Sequence, residues 1–207
     1  MRIEGISQIK GKNDRFCIQF DDGAEITVNA SQIADFGIYS GRVLSEDEYE
    51  RMRKSVDLSF AKTRALRILG NRNLSAKEME RRLAEKGESI EVSKETVLWL
   101  EENGLICDSE YAAKIVKHYS ENGYGISRIR EELFRRGIPR ETWEDALQVI
   151  QCTDLEKASY DLIERKLKGS LDKNDLHRAS NYLVRRGYSY EQARTAINKY
   201  IEKTRYE

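Results

Sequence analysis

The fold is decided by three stretches of sequence, SAKEMERRLAEKG (75–87), GISRIREELFRRG (125–137) and DLHRASNYLVRRG (175–187), which align without gaps. Successive final glycines stand 50 residues apart, and each stretch has a leucine four residues before its glycine. An apolar or small residue precedes that leucine by another four, which is the spacing of a buried helical stripe. The closing glycine is typical of a helix C-terminus, where the basic residue before it suits the helix dipole. The stripe residues are Met79, Leu83, Ile129, Leu133, Ala179 and Leu183.

The sequence around these stretches repeats as well. Glu95-Thr96-Val97 matches Glu141-Thr142-Trp143 once four extra residues are allowed in the first unit, and Ser189 opens a further helix with a capping box. Apolar residues in 61–69 recur 50 residues later in 111–119, whereas 154–167 matches less closely. A fixed period of this length indicates a repeat protein. We predict a mostly α protein with three tandem three-helix repeats that form a curved rod, at 56–107, 108–152 and 153–207.

Residues 1–55 are predicted to be a small β-rich module with a linking helix. Phe16, Ile18 and Phe20 alternate with polar positions, and Asp21-Asp22-Gly23 is a turn before a second alternating segment, so a β-hairpin is expected. A less regular strand precedes the hairpin, and a short helix is expected over 31–36. A capping box formed by Ser45 and Glu48 predicts a helix that ends near Ser55.

Composition favours helices that each bury one stripe. Hydrophobic residues make up 39% and charged residues 35%, with 36 basic and 36 acidic side chains. Such a balance permits nucleic-acid contact without requiring it, and 153–207 is the mildly basic end. The three cysteines are far apart and indicate reduced thiols. With neither a signal peptide nor an apolar segment of membrane-spanning length, the chain is expected to be cytoplasmic and monomeric, without membrane contact.

Catalytic signatures are not evident in the sequence. The two histidines, His118 and His177, lie in predicted helices among charged residues, where a surface role is the ordinary interpretation. Gly123-Tyr124-Gly125 lacks the remaining residues of a phosphate-binding loop. We therefore predict a protein that is not an enzyme and uses no cofactor, metal ion or small-molecule substrate.

Binding residues are predicted instead on the second and third repeats. A row of arginines along one groove would suit a negatively charged or filamentous target. The alternative, that each arginine only solubilises its helix or caps its C-terminus, stays open for any single residue. The candidate partner-binding residues are Tyr124, Arg128, Arg130, Arg135, Arg136, Lys173, Arg178, Arg185 and Arg186.

Three longer segments carry a resemblance to a known family. ALRILGNRNLSAKEMERRLAEKG (65–87), ENGLICDSEYAAKIVKHYSENGYGISRIREELFRRGI (102–138) and YLVRRGYSYEQARTAI (182–197) resemble the RecX family of bacterial recombination regulators. The resemblance covers about 58–203. Its most specific part runs from Asp108 through Gly123-Tyr124-Gly125 to Arg136-Gly137-Ile138.

The resemblance implies a partner and a division of roles among residues. Members of this family are expected to lodge along the groove of the RecA–DNA filament and to inhibit the ATPase, strand-exchange and co-protease activities of RecA. The RecA nucleoprotein filament is then the partner, with a weak contact to DNA. Architectural roles are implied for Asp108, Tyr111, Gly123, Ile129, Leu133 and Gly137, and contact roles for Tyr124, Arg128, Arg135 and Arg136. Two alternatives stay open, a direct DNA-binding helical-repeat protein and a helical scaffold for another partner.

Overall fold

The computed structural model of this chain describes residues 1–11, 14–148, 150 and 152–206. Packing divides the chain into two compact units, Met1–Arg72 with Met79–Glu102, and Asn73–Glu78 with Asn103–Glu207. The strands are β1 (Ile3–Gln8), β2 (Arg15–Phe20) and β3 (Glu25–Asn29). The helices are α1 (Ala30–Asp35), α2 (Glu46–Leu69), α3 (Ala76–Glu85), α4 (Ile90–Glu102), α5 (Asp108–Glu121), α6 (Ile126–Arg135), α7 (Trp143–Leu147), α8 (Cys152–Leu167), α9 (Lys173–Arg185) and α10 (Tyr190–Tyr206), with a 3-10 helix at Arg140–Thr142.

The N-terminal strands form an antiparallel sheet in the order β1-β2-β3. Ile18 lies opposite Ile6 on one side and Ile26 on the other, so the alternating apolar residues of β2 share one face. That face is buried against α2, where Met52 and Val56 complete the core. The predicted hairpin, the strand before it and the short helix after it are all confirmed.

Helix α2 is longer than the sequence predicted. It begins at the Ser45 capping box, as expected, but continues past Ser55 to Leu69. The prediction was wrong because the buried stripe does not stop, since Met52 and Val56 are followed by the fully buried Ala61 and Ala65. Neither glycine nor proline interrupts this segment before Gly70. One helix therefore serves both the sheet and the first repeat.

The described helices follow one another as three sets of three, which confirms the predicted tandem repeats. The C-terminal half of α2 is followed by α3 and α4, then α5, α6 and α7 form the second set, and α8, α9 and α10 the third. All six stripe residues of the aligned stretches have no exposed surface. The third helix of the second set is short, because the 3-10 turn after Pro139 occupies its first residues.

The middle helix of each repeat ends in the same way. Gly87, Gly137 and Gly187 have φ angles of 91°, 67° and 91°, the left-handed region expected at this position. The amide of the next residue donates to the carbonyl of the stripe leucine, for example Tyr188 to Leu183 over 3.2 Å. The matching bond from Ile138 to Leu133 is 3.1 Å. The repeated glycine is therefore a helix-terminating residue.

Inside the second unit, two successive junctions are built alike. The amide nitrogen of Gly125 donates to the carbonyl oxygen of Arg186 over 2.9 Å. Fifty residues earlier, the hydroxyl of Ser75 donates to the carbonyl oxygen of Arg136. In both cases the first residue of one aligned stretch donates a hydrogen bond to the next aligned stretch. The acceptor is the carbonyl oxygen of the arginine that precedes the terminal glycine.

Candidate partner-binding surface

A buried carboxylate organises the predicted binding residues of α6. Glu132 is 2% exposed, and its two carboxylate oxygens accept hydrogen bonds from Nε and Nη2 of Arg135 over 3.0 and 2.6 Å. Nε of Arg136 donates to the same carboxylate over 2.6 Å, and Nη1 of Arg136 donates to the hydroxyl of Tyr111. The guanidinium of Arg136 is therefore largely occupied inside the protein, whereas the Arg135 side chain is 69% exposed.

The charges in this network are fixed near neutral pH. Burial alone would raise the pKa of Glu132, but the hydrogen bonds from Arg135 and Arg136 outweigh it and lower that pKa. The same hydrogen bonds overcome burial at Arg136 and raise its pKa. Burial, together with the nearby Glu132 carboxylate, raises the pKa of Tyr119. The network therefore keeps one anion and two cations.

The remaining α6 arginines, Arg128 and Arg130, form ion pairs with carboxylates other than Glu132. Arg128 pairs with Glu131 on its own helix over 2.8 Å, while Arg130 reaches Glu144 of α7 over 3.0 Å. The Glu131 hydrogen bond raises the pKa of Arg128. Both arginine side chains are about half exposed, at 47% and 49%. The structure thus pairs these two arginines with different carboxylates, Glu131 and Glu144.

In the third repeat, Arg186 crosses to the turn between α5 and α6. Its Nη1 donates to the carbonyl oxygens of Asn122 and Gly123 over 2.8 and 3.2 Å. Its guanidinium carbon lies 4.7 Å from the ring centre of Tyr124 and 5.2 Å from that of Tyr182. Tyr124 and Arg186, both predicted binding residues, are therefore brought together, and Arg186 caps the C-terminal end of α5.

The other candidates of the third repeat lie apart on the surface of α9. Arg178 is 76% exposed and lies 3.6 Å from the carboxylate of Asp175. Lys173 and Arg185 are exposed at opposite ends of the helix, and neither forms an ion pair with the part of the chain that the structure describes. These three side chains are available to a partner without breaking a buried contact.

A groove beside Arg186 contains residues that the sequence analysis did not single out. It has a volume of about 580 Å³, and we call it the Arg186 groove. One signal in the sequence marks this region: Tyr182 occupies the position in the third repeat that Glu132 has in the second. The basic and aromatic side chains that line it are Arg165, Lys166, Tyr182 and Arg186.

The described residues contain neither a metal-binding cluster nor a membrane-spanning helix. Within residues 1–11, 14–148, 150 and 152–206, no group of three or more His, Cys, Asp or Glu side chains is placed to hold a metal ion. None of the helices in those ranges combines the length and the apolar character needed to cross a membrane. Cys17 and Cys107 are free thiols.

Family models match two of the three repeats. Residues 61–100 match the first three-helix domain of RecX, and residues 108–147 match the second. Both matches coincide with helices already described, from the second half of α2 to α4 and from α5 to α7. Each match therefore covers one three-helix repeat.

Relatives and solved structures cover most of the chain. The regulatory protein RecX of Clostridioides difficile is 26% identical over 99% of this chain and 98% of its own length. That of Vibrio cholerae is 32% identical over 69% of this chain and 95% of its own length. A crystal structure of a regulatory protein RecX superposes with a TM-score of 0.75 at 20% identity, covering 95% of this chain and 98% of the other, which supports the shared fold. The chain belongs to the RecX family.

Proposed function

We propose that this chain regulates RecA by binding along the groove of the RecA–DNA filament and inhibiting the ATPase, strand-exchange and co-protease activities of RecA. The observation that carries this proposal is the series of three similar helical repeats in a member of the RecX family. Repeated units can contact successive copies of a filament subunit, so that individually weak contacts add through proximity.

The surface chemistry supports a protein partner. The 36 basic and 36 acidic residues balance, so that no large excess of one charge would restrict the chain to a polyanion. Several exposed arginines of α6 and α9 have only exposed carboxylates as partners, and such ion pairs cost little to exchange for a partner's carboxylate. The exposed ring of Phe134, at 67%, lies on the same helix as Arg130 and Arg135. Aromatic and arginine side chains are enriched where protein interfaces gain most of their energy.

We further propose that the chain acts by binding, without catalysis of its own. Its relatives are named regulatory proteins. The perturbed titrating groups of the second repeat form a neutralising network around Glu132, and the geometry of that network accounts for their shifts. The candidate contacts within this proposal are the exposed side chains Arg128, Arg130, Arg135, Lys173, Arg178 and Arg185.

The test is the ATPase rate of the cognate RecA on single-stranded DNA as this chain is titrated into the reaction. We expect inhibition at substoichiometric ratios, because one chain would affect many subunits of a filament. The variant Arg128→Ala/Arg130→Ala/Arg178→Ala should need a higher concentration for the same inhibition. A matched control, Arg51→Ala/Arg53→Ala/Arg67→Ala, removes three exposed arginines of α2 and should inhibit like the original chain. An unchanged ATPase rate at a molar excess would contradict the proposal.

A further inference from the structure

Two arginines at equivalent positions of the repeat have different surroundings. Arg136 and Arg186 each precede the terminal glycine of a middle helix and stand 50 residues apart. Arg136 uses Nε and Nη1 for a carboxylate and a tyrosine hydroxyl. Arg186 uses only Nη1, for two backbone carbonyls, and within the described residues nothing bonds to its Nε or Nη2. Arg186 can therefore donate hydrogen bonds from Nε and Nη2 to a ligand.

The difference has a local cause in the residue four positions earlier. Glu132 places a carboxylate against Arg136, whereas the aligned Tyr182 places an aromatic ring against Arg186. The ring holds the guanidinium by a cation–π contact without neutralising its charge. The positive charge of Arg186 is thus not balanced by a carboxylate, unlike that of Arg136. The backbone carbonyls of Asn122 and Gly123 fix the orientation of the Arg186 guanidinium.

Two more cations line the same groove. Arg165 is exposed, and its Nε bonds to the backbone carbonyl of Asp161 over 3.1 Å. Lys166 is exposed and lies 4.7 Å from the centre of the Tyr182 ring. Neither forms a salt bridge with a carboxylate of the described residues. Two carboxylates also line the groove, Asp161 and Glu121, and the latter lies 4.0 Å from Nζ of Lys117.

We propose that the Arg186 groove binds phosphate groups, presented by a strand of nucleic acid. A guanidinium held at one edge, with its other donors open, matches the paired oxygens of a phosphate, and Arg165 and Lys166 supply charge beside it. The groove volume of about 580 Å³ lies within the range of ordinary ligand sites and leaves room for phosphate groups. This site lies beyond the proposed regulation of RecA, and it is tested without RecA.

The experiment measures binding of a fluorescently labelled oligothymidylate to the full chain by anisotropy over a range of salt concentrations. We expect Arg165→Ala/Lys166→Ala to weaken binding on the order of tenfold and to flatten the salt dependence, because fewer phosphates are neutralised. The control Arg194→Ala/Arg205→Ala removes the same charge from exposed positions of α10 and should change binding less than about twofold.

A third variant tests the explanation drawn from the repeats. Tyr182→Glu gives the third repeat the carboxylate that the second repeat has, and it should pair with Arg186 and abolish most of the binding. Circular dichroism with thermal melting checks that each variant is folded. Equal losses in the α10 control and the groove variants, or unchanged binding in all of them, would overturn the proposal.

Two further arms separate the sources of phosphate and the class of partner. Inorganic phosphate and a mononucleotide should compete only at concentrations far above that of the oligonucleotide, and competition at similar concentrations would overturn the assignment to a strand. Groove variants that bind the oligonucleotide normally but no longer inhibit RecA would assign the groove to a protein partner, and would also overturn it.

Discussion

The backbone of Gly125 lies directly against that of Gly187. A Cβ atom added at Gly125 would lie 2.3 Å from the carbonyl oxygen of Gly187, and one added at Gly187 would lie 2.4 Å from the amide nitrogen of Arg128. No side chain separates the start of α6 from the end of α9 at this point. The junction between the second and third repeats is therefore a contact of main chain on main chain.

This contact predicts a strong effect of a small substitution. Gly125→Ala should lower the free energy of unfolding by about 1–3 kcal/mol, because the added methyl group forces two backbones apart. Gly70→Ala is the matched control, since Gly70 has a helical φ of −58° and its added Cβ would be 3.6 Å from its nearest neighbour. Urea unfolding monitored by circular dichroism measures both. Equal stability of the two variants would show that the junction is not closely packed.

Truncating two neighbouring residues of α6 should change stability by very different amounts. Leu133 has no exposed surface, so Leu133→Ala should cost about 2–5 kcal/mol of stability through lost burial and a cavity. Phe134 is 67% exposed, and Phe134→Ala should change stability by less than about 0.5 kcal/mol. Thermal melting of the two variants compares them directly. A large loss from the Phe134 variant alone would mean that the buried face of α6 is assigned incorrectly.

The Glu132 carboxylate should make stability depend on acidic pH. Its folded-state pKa is lowered by Arg135 and Arg136, so its contribution is complete above the unfolded pKa of about 4.3 and is lost as pH falls through the folded value. Glu132→Gln should cost about 1.5–3 kcal/mol at neutral pH.

The difference in unfolding free energy between wild type and Glu132→Gln should shrink below about pH 4. Urea titrations at neutral and acidic pH measure it. Glu131→Gln is the control, because the Glu131 side chain is 66% exposed and its pairing with Arg128 contributes at most about 1 kcal/mol. A constant cost of Glu132→Gln across this range would argue against an ionised, paired carboxylate.

Tyr188 should make stability depend on alkaline pH. Burial raises its pKa to about 12, and its hydroxyl donates to the carbonyl of Gly123 over 3.3 Å. Folding favours the neutral phenol, so this contribution is complete below the unfolded pKa of about 10 and is lost as pH rises through about 12. Tyr188→Phe should therefore lose less stability than wild type across that interval.

Urea unfolding at a series of alkaline pH values tests the Tyr188 prediction. Tyr190→Phe provides the comparison, since Tyr190 is 75% exposed. If both variants follow the wild-type curve, ionisation of Tyr188 is not coupled to unfolding.

Most of the fold could be predicted because its determinants are local. The spacing of Leu133 from Gly137 and the capping box at Ser45 each depend on residues within one or two helical turns. The end of α2 was missed for the complementary reason. Residues 55–69 have a stripe that suits a separate helix equally well, and only packing against the sheet and α4 shows that the two segments are one helix.

The candidate site was predicted less well because the sequence motif of an arginine does not show which groups its guanidinium contacts in the fold. Arg136 and Arg186 stand in the same local sequence, Arg-Arg-Gly, and look equivalent. Glu132 neutralises Arg136, whereas Arg186 is held by the backbone carbonyls of a turn more than 60 residues away in sequence. The change from Glu132 to Tyr182 is visible in the aligned repeats, but its effect on the guanidinium requires the three-dimensional contacts.

The length of α2 has a consequence for mechanics and for chimera design. Its 24 residues extend about 36 Å and join the core of the sheet to that of the first repeat. Under an applied pulling force, these two regions should yield in one step, because neither can lose its part of the helix alone. A chimera that exchanges the N-terminal module between relatives should therefore be spliced in the loop before Ser45. A splice at Ser55 would join two halves of helix α2 that come from different proteins.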